Sequence, residues 1–209
     1  MAAARQAKKA RISKLLVVDA SVMRAAGGVE ATDPVPARAR NTLMAILAIC
    51  HRVCLTPDIS EEWKRHQSRF AGRWLTQMYA RRKVVACEAP SCQHLVDDIR
   101  SFHLTTEGDI VAVEKDIHLF AAALTTSHRT ILSWDKRVAT VIRKVCADTK
   151  TVTSKAIASM LWIDPIADHE TLRAWLSEAG PSQPHWPLGN TATAVPAVPR
   201  SRGRSSRRG

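Results

Sequence analysis

Short, continuously apolar runs alternate along this chain with longer stretches in which apolar positions recur every three or four residues. Leu15-Leu16-Val17-Val18 is apolar at every position, the pattern of a strand buried on both faces of a parallel sheet. Val53-Cys54-Leu55, residues 83–86 and residues 130–133 repeat that signal as shorter strands. Between them the spacing predicts helices. One runs from Ala37 to Cys50 with Leu43, Ile46, Leu47 and Cys50 on one face. Others span Asp58 to Met78 and Pro90 to Phe102. A further helix opens at Asp116, runs to Thr125 and buries Ile117, Phe120, Ala121 and Leu124. After Asp135 comes another, with Val138, Val141, Ile142 and Val145 at helical spacing. Gly27-Gly28 and residues 32–36 predict a loop, and Val152 begins a last strand or turn near Ile157 to Ile163. A final helix from Asp168 to Ala179 halts at Gly180-Pro181. Strands alternating with helices argue for an α/β sandwich around a mostly parallel sheet.

Charge changes the picture at the ends. Of a net charge of +12, residues 1–14 supply five basic side chains and no acid, and residues 181–209 supply five more and no acid, which leaves +2 on the body. Half of the ten prolines lie beyond residue 180. The expected organisation is a basic arm over 1–13, one folded domain over 14–180, and a disordered Pro/Arg-rich tail over 181–209. Basic stretches of this kind favour polyanions, nucleic acid foremost. The five cysteines lack the two-residue gap of a zinc knuckle and suit a reducing cytoplasm. The longest apolar run, Leu43 to Cys50, is too short to span a bilayer. Only four apolar residues separate the basic N-terminus from Asp19, a poor secretory signal.

Four acids stand out by context. Asp19 ends the first apolar run, and Asp135 follows the strand at 130–133. Ligands of a parallel α/β sheet bind beyond the carboxyl ends of its strands, so neighbouring strands would present both acids at one edge. Ile59, Trp63, His66, Phe70 and Trp74 centre the apolar face of the predicted helix over 58–78. At 100° per residue Glu62 lies at the border of that face, whereas Glu61 points to water. On the same wheel Arg65, Arg69 and Arg73 form a cationic stripe at i, i+4, i+8 on the edge shared with Glu62, suited to a phosphodiester backbone. Asp116 would open its helix. Read singly, Asp116 complements a helix dipole and Asp135 caps the helix that follows it. Together, carboxylates at roughly 5 Å repel by about 3 kcal/mol per pair at an effective dielectric near 20, so the cluster calls for protons or a cation. Oxygen ligands select hard ions, Mg²⁺ or Mn²⁺, which act on phosphate.

The segments Val-Val-Asp19-Ala-Ser21, Thr56-Pro-Asp-Ile-Ser-Glu-Glu62-Trp, Lys-Asp116-Ile-His-Leu-Phe-Ala121 and Ile-Leu-Ser133-Trp-Asp135 arrive in an order that resembles the PIN-domain nucleases, toxin-like ribonucleases, over residues 14–147. The resemblance implies a three-layer α/β/α sandwich, Mg²⁺ or Mn²⁺, and cleavage of single-stranded RNA. It gives Asp19, Asp116 and Asp135 to the metal and makes Glu62 a ligand or water-positioning acid. Ser21 and Ser133 would hydrogen-bond the carboxylates. Lys136 and Arg137 occupy positions where a further acid is often found in the family, which puts a second metal in doubt. RNA is the implied partner; an antitoxin or other protein partner and a homodimer stay open, as does a non-catalytic RNA-binding role. The eight histidines show no metal-ligand spacing, and His51 reads as helix packing. Trp63, Trp74, Trp162 and Trp175 read as core. Trp134, beside Asp135, reads either as a base-stacking residue or as packing beneath its loop.

Overall fold

Five strands form one all-parallel sheet in a computed structural model that describes residues 13–28, 33–103, 105–148, 152–177 and 182–190. They are β1 (Leu15–Val18), β2 (Arg52–Leu55), β3 (Val84–Ala86), β4 (Thr130–Leu132) and β5 (Leu161–Ile163), in the order β3-β2-β1-β4-β5. Leu16, Val17 and Val18 are buried on both sides, as a central strand requires. The helices are α1 (Ala20–Ala25), α2 (Pro34–Ala48), α3 (Pro57–His66), α4 (Arg69–Ala80), α5 (Gln93–Ser101), α6 (Glu107–Leu124), α7 (Lys136–Asp148), α8 (Val152–Ala158) and α9 (His169–Ser177). One group, α1 to α4 with α9, packs together, and α5 to α8 form the other, giving the three-layer α/β/α arrangement. The chain runs outward from β1 through β2 to β3, then restarts on the other side with β4 and β5. The topological switch point therefore lies between β1 and β4, where Val18 pairs with Leu132.

Several boundaries differ from the sequence reading, each for a local reason. α2 begins three residues early, because Asp33 caps it and Pro34 occupies its first turn, where a missing N–H costs nothing. The helix expected over 58–78 is two helices. Gln67 is extended, and Ser68 caps α4 by accepting from the Ala71 N–H. The Ser68 N–H and hydroxyl both donate to the Met23 carbonyl, which pins this corner to α1. His66 is consequently exposed rather than on the apolar face. α6 begins nine residues before Asp116, at a capping box formed by Thr106 and Asp109. The stretch from Val152 folds as α8 before β5, so the last strand is confined to three residues.

The C-terminal boundary also moves. Residues 182–190 pack on the domain instead of beginning a disordered tail: Trp186 and Leu188 are fully buried, and Pro187 bridges Leu161 in the antiparallel sense. The Trp162 N–H donates to the Trp186 carbonyl and the Leu188 N–H to the Met160 carbonyl, which covers the free edge of β5. Asp168 ties the segment down, accepting from the Trp186 indole N–H at 3.1 Å and lying 2.8 Å from His185 Nε2. The basic arm over 1–12, the tail over 191–209 and the Gly180-Pro181 stop lie outside the described residues. No helix among the described residues is long and apolar enough to cross a membrane.

Because Trp186 fills a closed space against Trp175 at a centroid distance of 5.6 Å, Trp186→Ala should cost about 3–5 kcal/mol in urea unfolding. A loss under roughly 1 kcal/mol would show the segment to be a surface strap.

Candidate functional site

Asp19 occupies the first position after β1 and caps α1, its side chain accepting from the Ser21 N–H. Its own N–H donates to the Leu132 carbonyl at 2.9 Å, so the end of β1 is stitched to the end of β4. Asp19 Oδ2 accepts two hydroxyl hydrogens, from Ser21 and, at 2.6 Å, from Ser133. Those hydroxyls are oriented in turn from the loop after β4. The Trp134 N–H donates to Ser21 Oγ at 3.1 Å and the Asp135 N–H to Ser133 Oγ at 3.0 Å. Each serine thus relays a backbone N–H dipole onto one carboxylate oxygen, and Asp19 has little rotational freedom left.

Asp135 caps α7: its Oδ1 accepts from the N–H groups of Arg137 at 2.8 Å and Val138 at 3.2 Å. The single-residue reading of Asp135 as a cap therefore holds alongside its position at the sheet edge. For Asp116 the helix-start reading fails. It sits mid-helix, buried, in a stretch of α6 whose inward side includes Val113, Leu119 and Phe120. Burial pushes its carboxyl up from the ordinary value to about 7, the Asp19 charge adds to this, the Lys115 ammonium opposes it, and Asp135 and Glu62 raise it further. One buried carboxyl thus senses all three of the other acids.

Glu62 reaches the group from α3. The helix is oriented by Trp63, whose indole N–H donates to the Val18 carbonyl at 3.0 Å. That bond fixes α3 over the end of β1 and turns the preceding residue toward α6. Glu62 Oε2 lies 3.2 Å from His118 Nε2, while Glu61 pairs with Lys64 in solvent. The proposed arginine stripe does not survive the break at Gln67. Arg65 ends α3, with its Nε on the Glu61 carbonyl, while Arg69 and Arg73 ride on α4, a helix packed along α2; all three are exposed. Trp134 is 39% exposed beside Asp135, so it does not pack beneath its loop.

Two polar groups at this edge were missed in the sequence. His118 escaped because α6 was started too late for its face to be judged. Asp164 follows β5 at the same edge of the sheet; its Oδ1 accepts from the Ile166 and Ala167 N–H groups and its Oδ2 lies 3.8 Å from Lys136 Nζ. Only the position of β5 beside β4 reveals Asp164 as an edge acid. Among the described residues no group of three or more His, Cys, Asp or Glu side chains is arranged to hold a metal ion. The donors are nonetheless of the right chemistry for a hard divalent ion: carboxylate oxygens in excess, one of them so disfavoured as an anion that it keeps its proton to about pH 7. The chain matches no model of a known protein family, and no curated protein matches it.

The raised Asp116 has a thermodynamic signature. Its folded value lies above the unfolded carboxylate near 4, so the native state holds the proton more tightly. Its stabilising contribution is present in full below about pH 4 and is lost as pH rises to about 7. In EDTA, wild-type stability relative to Asp116→Asn should therefore fall by on the order of 2–4 kcal/mol across that window, as read by urea unfolding. A flat difference curve would place Asp116 in contact with solvent.

Proposed function

We propose that this chain is a metal-dependent endoribonuclease of the PIN type, hydrolysing phosphodiester bonds of single-stranded RNA with Mg²⁺ or Mn²⁺. The observation that carries the reading is the gathering of Asp19, Glu62, Asp116 and Asp135 around the switch point of a parallel sheet, with Asp116 raised to about 7 by its burial and then by the other three acids. Such edges are where ligands of doubly wound sheets bind, and perturbed carboxyls concentrate at functional sites. Asp19, Asp116 and Asp135 would hold the ion, which supplies Lewis acidity toward a phosphoryl oxygen. Ser21 and Ser133 keep Asp19 in one rotamer by donating to it. Asp116, raised to about 7 chiefly by burial, would release its proton to a bound cation. Trp134 presents an aromatic face on which an unpaired base can stack. The basic stretches at residues 5–11 and 200–208 supply attraction to the phosphate backbone. A reducing cytoplasmic setting fits the odd count of five cysteines.

A second reading, an RNA-binding protein that keeps the fold without turnover, draws on the spacing of the acids, which form no ready ligand set. An assay on single-stranded RNA separates the two. Cleavage should require Mg²⁺ or Mn²⁺, stop in EDTA, and fall by roughly 100-fold or more in Asp19→Asn and in Asp116→Asn, with far-UV circular dichroism unchanged. Binding that weakens steeply with salt and no metal-dependent cleavage would establish the binding role instead.

A further inference from the structure

His118 is the polar side chain whose placement the acidic cluster alone does not explain. It faces Glu62 from α6, its side chain is only 10% exposed, and its Nε2 makes no hydrogen bond. Its other nitrogen fixes the proton. Nδ1 lies 3.0 Å from the Lys115 carbonyl, and a carbonyl only accepts, so Nδ1 carries the hydrogen. In the neutral ring Nε2 is then a bare lone pair, set 3.2 Å from the Glu62 Oε2 oxygen, itself an acceptor. Two acceptors at that separation repel, and an unmet buried nitrogen is costly. A proton on Nε2 would turn the contact into a charged pair, but the atoms are not aligned for an N–H···O bond. A cation between them has no such requirement on the hydrogen direction. Two ligands at about 2.2 Å on adjacent corners of an octahedron stand about 3.1 Å apart, close to the separation seen.

We propose that Glu62 and His118 form a mixed oxygen–nitrogen clamp for one divalent transition ion, so that the site prefers Mn²⁺, or a later ion such as Co²⁺, over Mg²⁺. The remaining corners are those that the aspartates, water and substrate oxygens would fill. Imidazole is a poor partner for Mg²⁺, which demands oxygen, and a good one for the first-row transition ions. The Nδ1–H bond to the Lys115 carbonyl is the second-sphere contact that metal-bound histidines ordinarily make, fixing the ring and raising the basicity of Nε2. The inference deepens the metal-dependent reading above by naming the ion class and a ligand that the four acids do not include.

The test uses the full chain and Mn²⁺ alone, without RNA. Pulsed electron paramagnetic resonance of the Mn²⁺ complex should show coupling to an imidazole ¹⁴N, lost in His118→Asn. That variant retains an amide donor where Nδ1–H stood and removes Nε2. In calorimetry His118→Asn should weaken Mn²⁺ by about 10-fold and Mg²⁺ by less than about 2-fold, the range of a single lost nitrogen ligand; Glu62→Gln should weaken both. Mn²⁺ bound with no nitrogen coupling, or equal losses for both ions, overturns the clamp and leaves the nuclease reading intact. No Mn²⁺ binding at all overturns the clamp, and the RNA assay in Mg²⁺ then decides the nuclease reading separately. Nitrogen coupling in a protein that cleaves no RNA upholds the clamp and removes the nuclease. Circular dichroism guards against misfolding, with Glu62→Gln as the second variant should His118→Asn unfold.

Discussion

The pairing of Val18 with Leu132 is the contact on which the rest of the site depends. It levels the ends of two parallel strands, so that the residues just beyond them, Asp19 and the 133–135 loop, meet at one height. The Asp19 N–H bond to the Leu132 carbonyl extends the ladder by one rung, and the serine relay is possible only because of that alignment. A slip of one residue would turn Asp19 to the opposite face of the sheet and separate it from Ser133. Trp63 then adds α3 by donating to Val18, the last residue of the same strand. The acidic edge is thus assembled by backbone register, one indole and the hydrogen bonds that Asp19 and Asp135 accept, while the charges of its carboxylates repel one another.

That repulsion is held in place by the core around it. Asp116 projects from a helix whose neighbours Val113, Leu119, Phe120 and Ala122 are buried, and Phe120 stacks on Trp162 at 5.5 Å. The apolar contacts stabilise α6 far more than one displaced carboxyl unsettles it, so the acid stays where burial disfavours its charge. A site of this kind stores its need for a counter-charge in the fold itself. Proton, imidazolium or metal ion are the available ways to meet it.

The strands were legible in the sequence because burial on both faces leaves a continuous apolar run, and β1 is read to the residue. The two acids beyond strand ends were legible for the same reason: once strands are known, so are their carboxyl ends. Glu62 follows from a face centred on Ile59, Trp63, His66, Phe70 and Trp74, and its place survives the break at Gln67 because Ile59 and Trp63 alone set the buried side of α3. The arginine stripe failed because it required that phase to persist across Ser68, and a serine gives no sign in a periodicity count of whether it caps a helix or continues one. Trp186 was passed over among prolines and glycines, since its anchor, Asp168, is distant in sequence and becomes a partner only after β5 has an edge to cover. His118 and Asp164 are visible only once α6 and β5 are placed in three dimensions.

The covering of β5 carries an electrical consequence. From Trp186 to Gly189 the chain runs back along β5 toward that strand's start, while Lys14, with its ammonium over the Trp175 ring at 4.5 Å, lies just before β1. Lys14 and Gly189 therefore both lie at the amino edge of the sheet. Lys14 and Gly189 lie on one side of the sheet and the carboxylates lie on the other, about 13 Å away along a four-residue strand. The acid cluster thus faces the carboxyl edge of the sheet, and with no cation bound that edge repels an anion that approaches it.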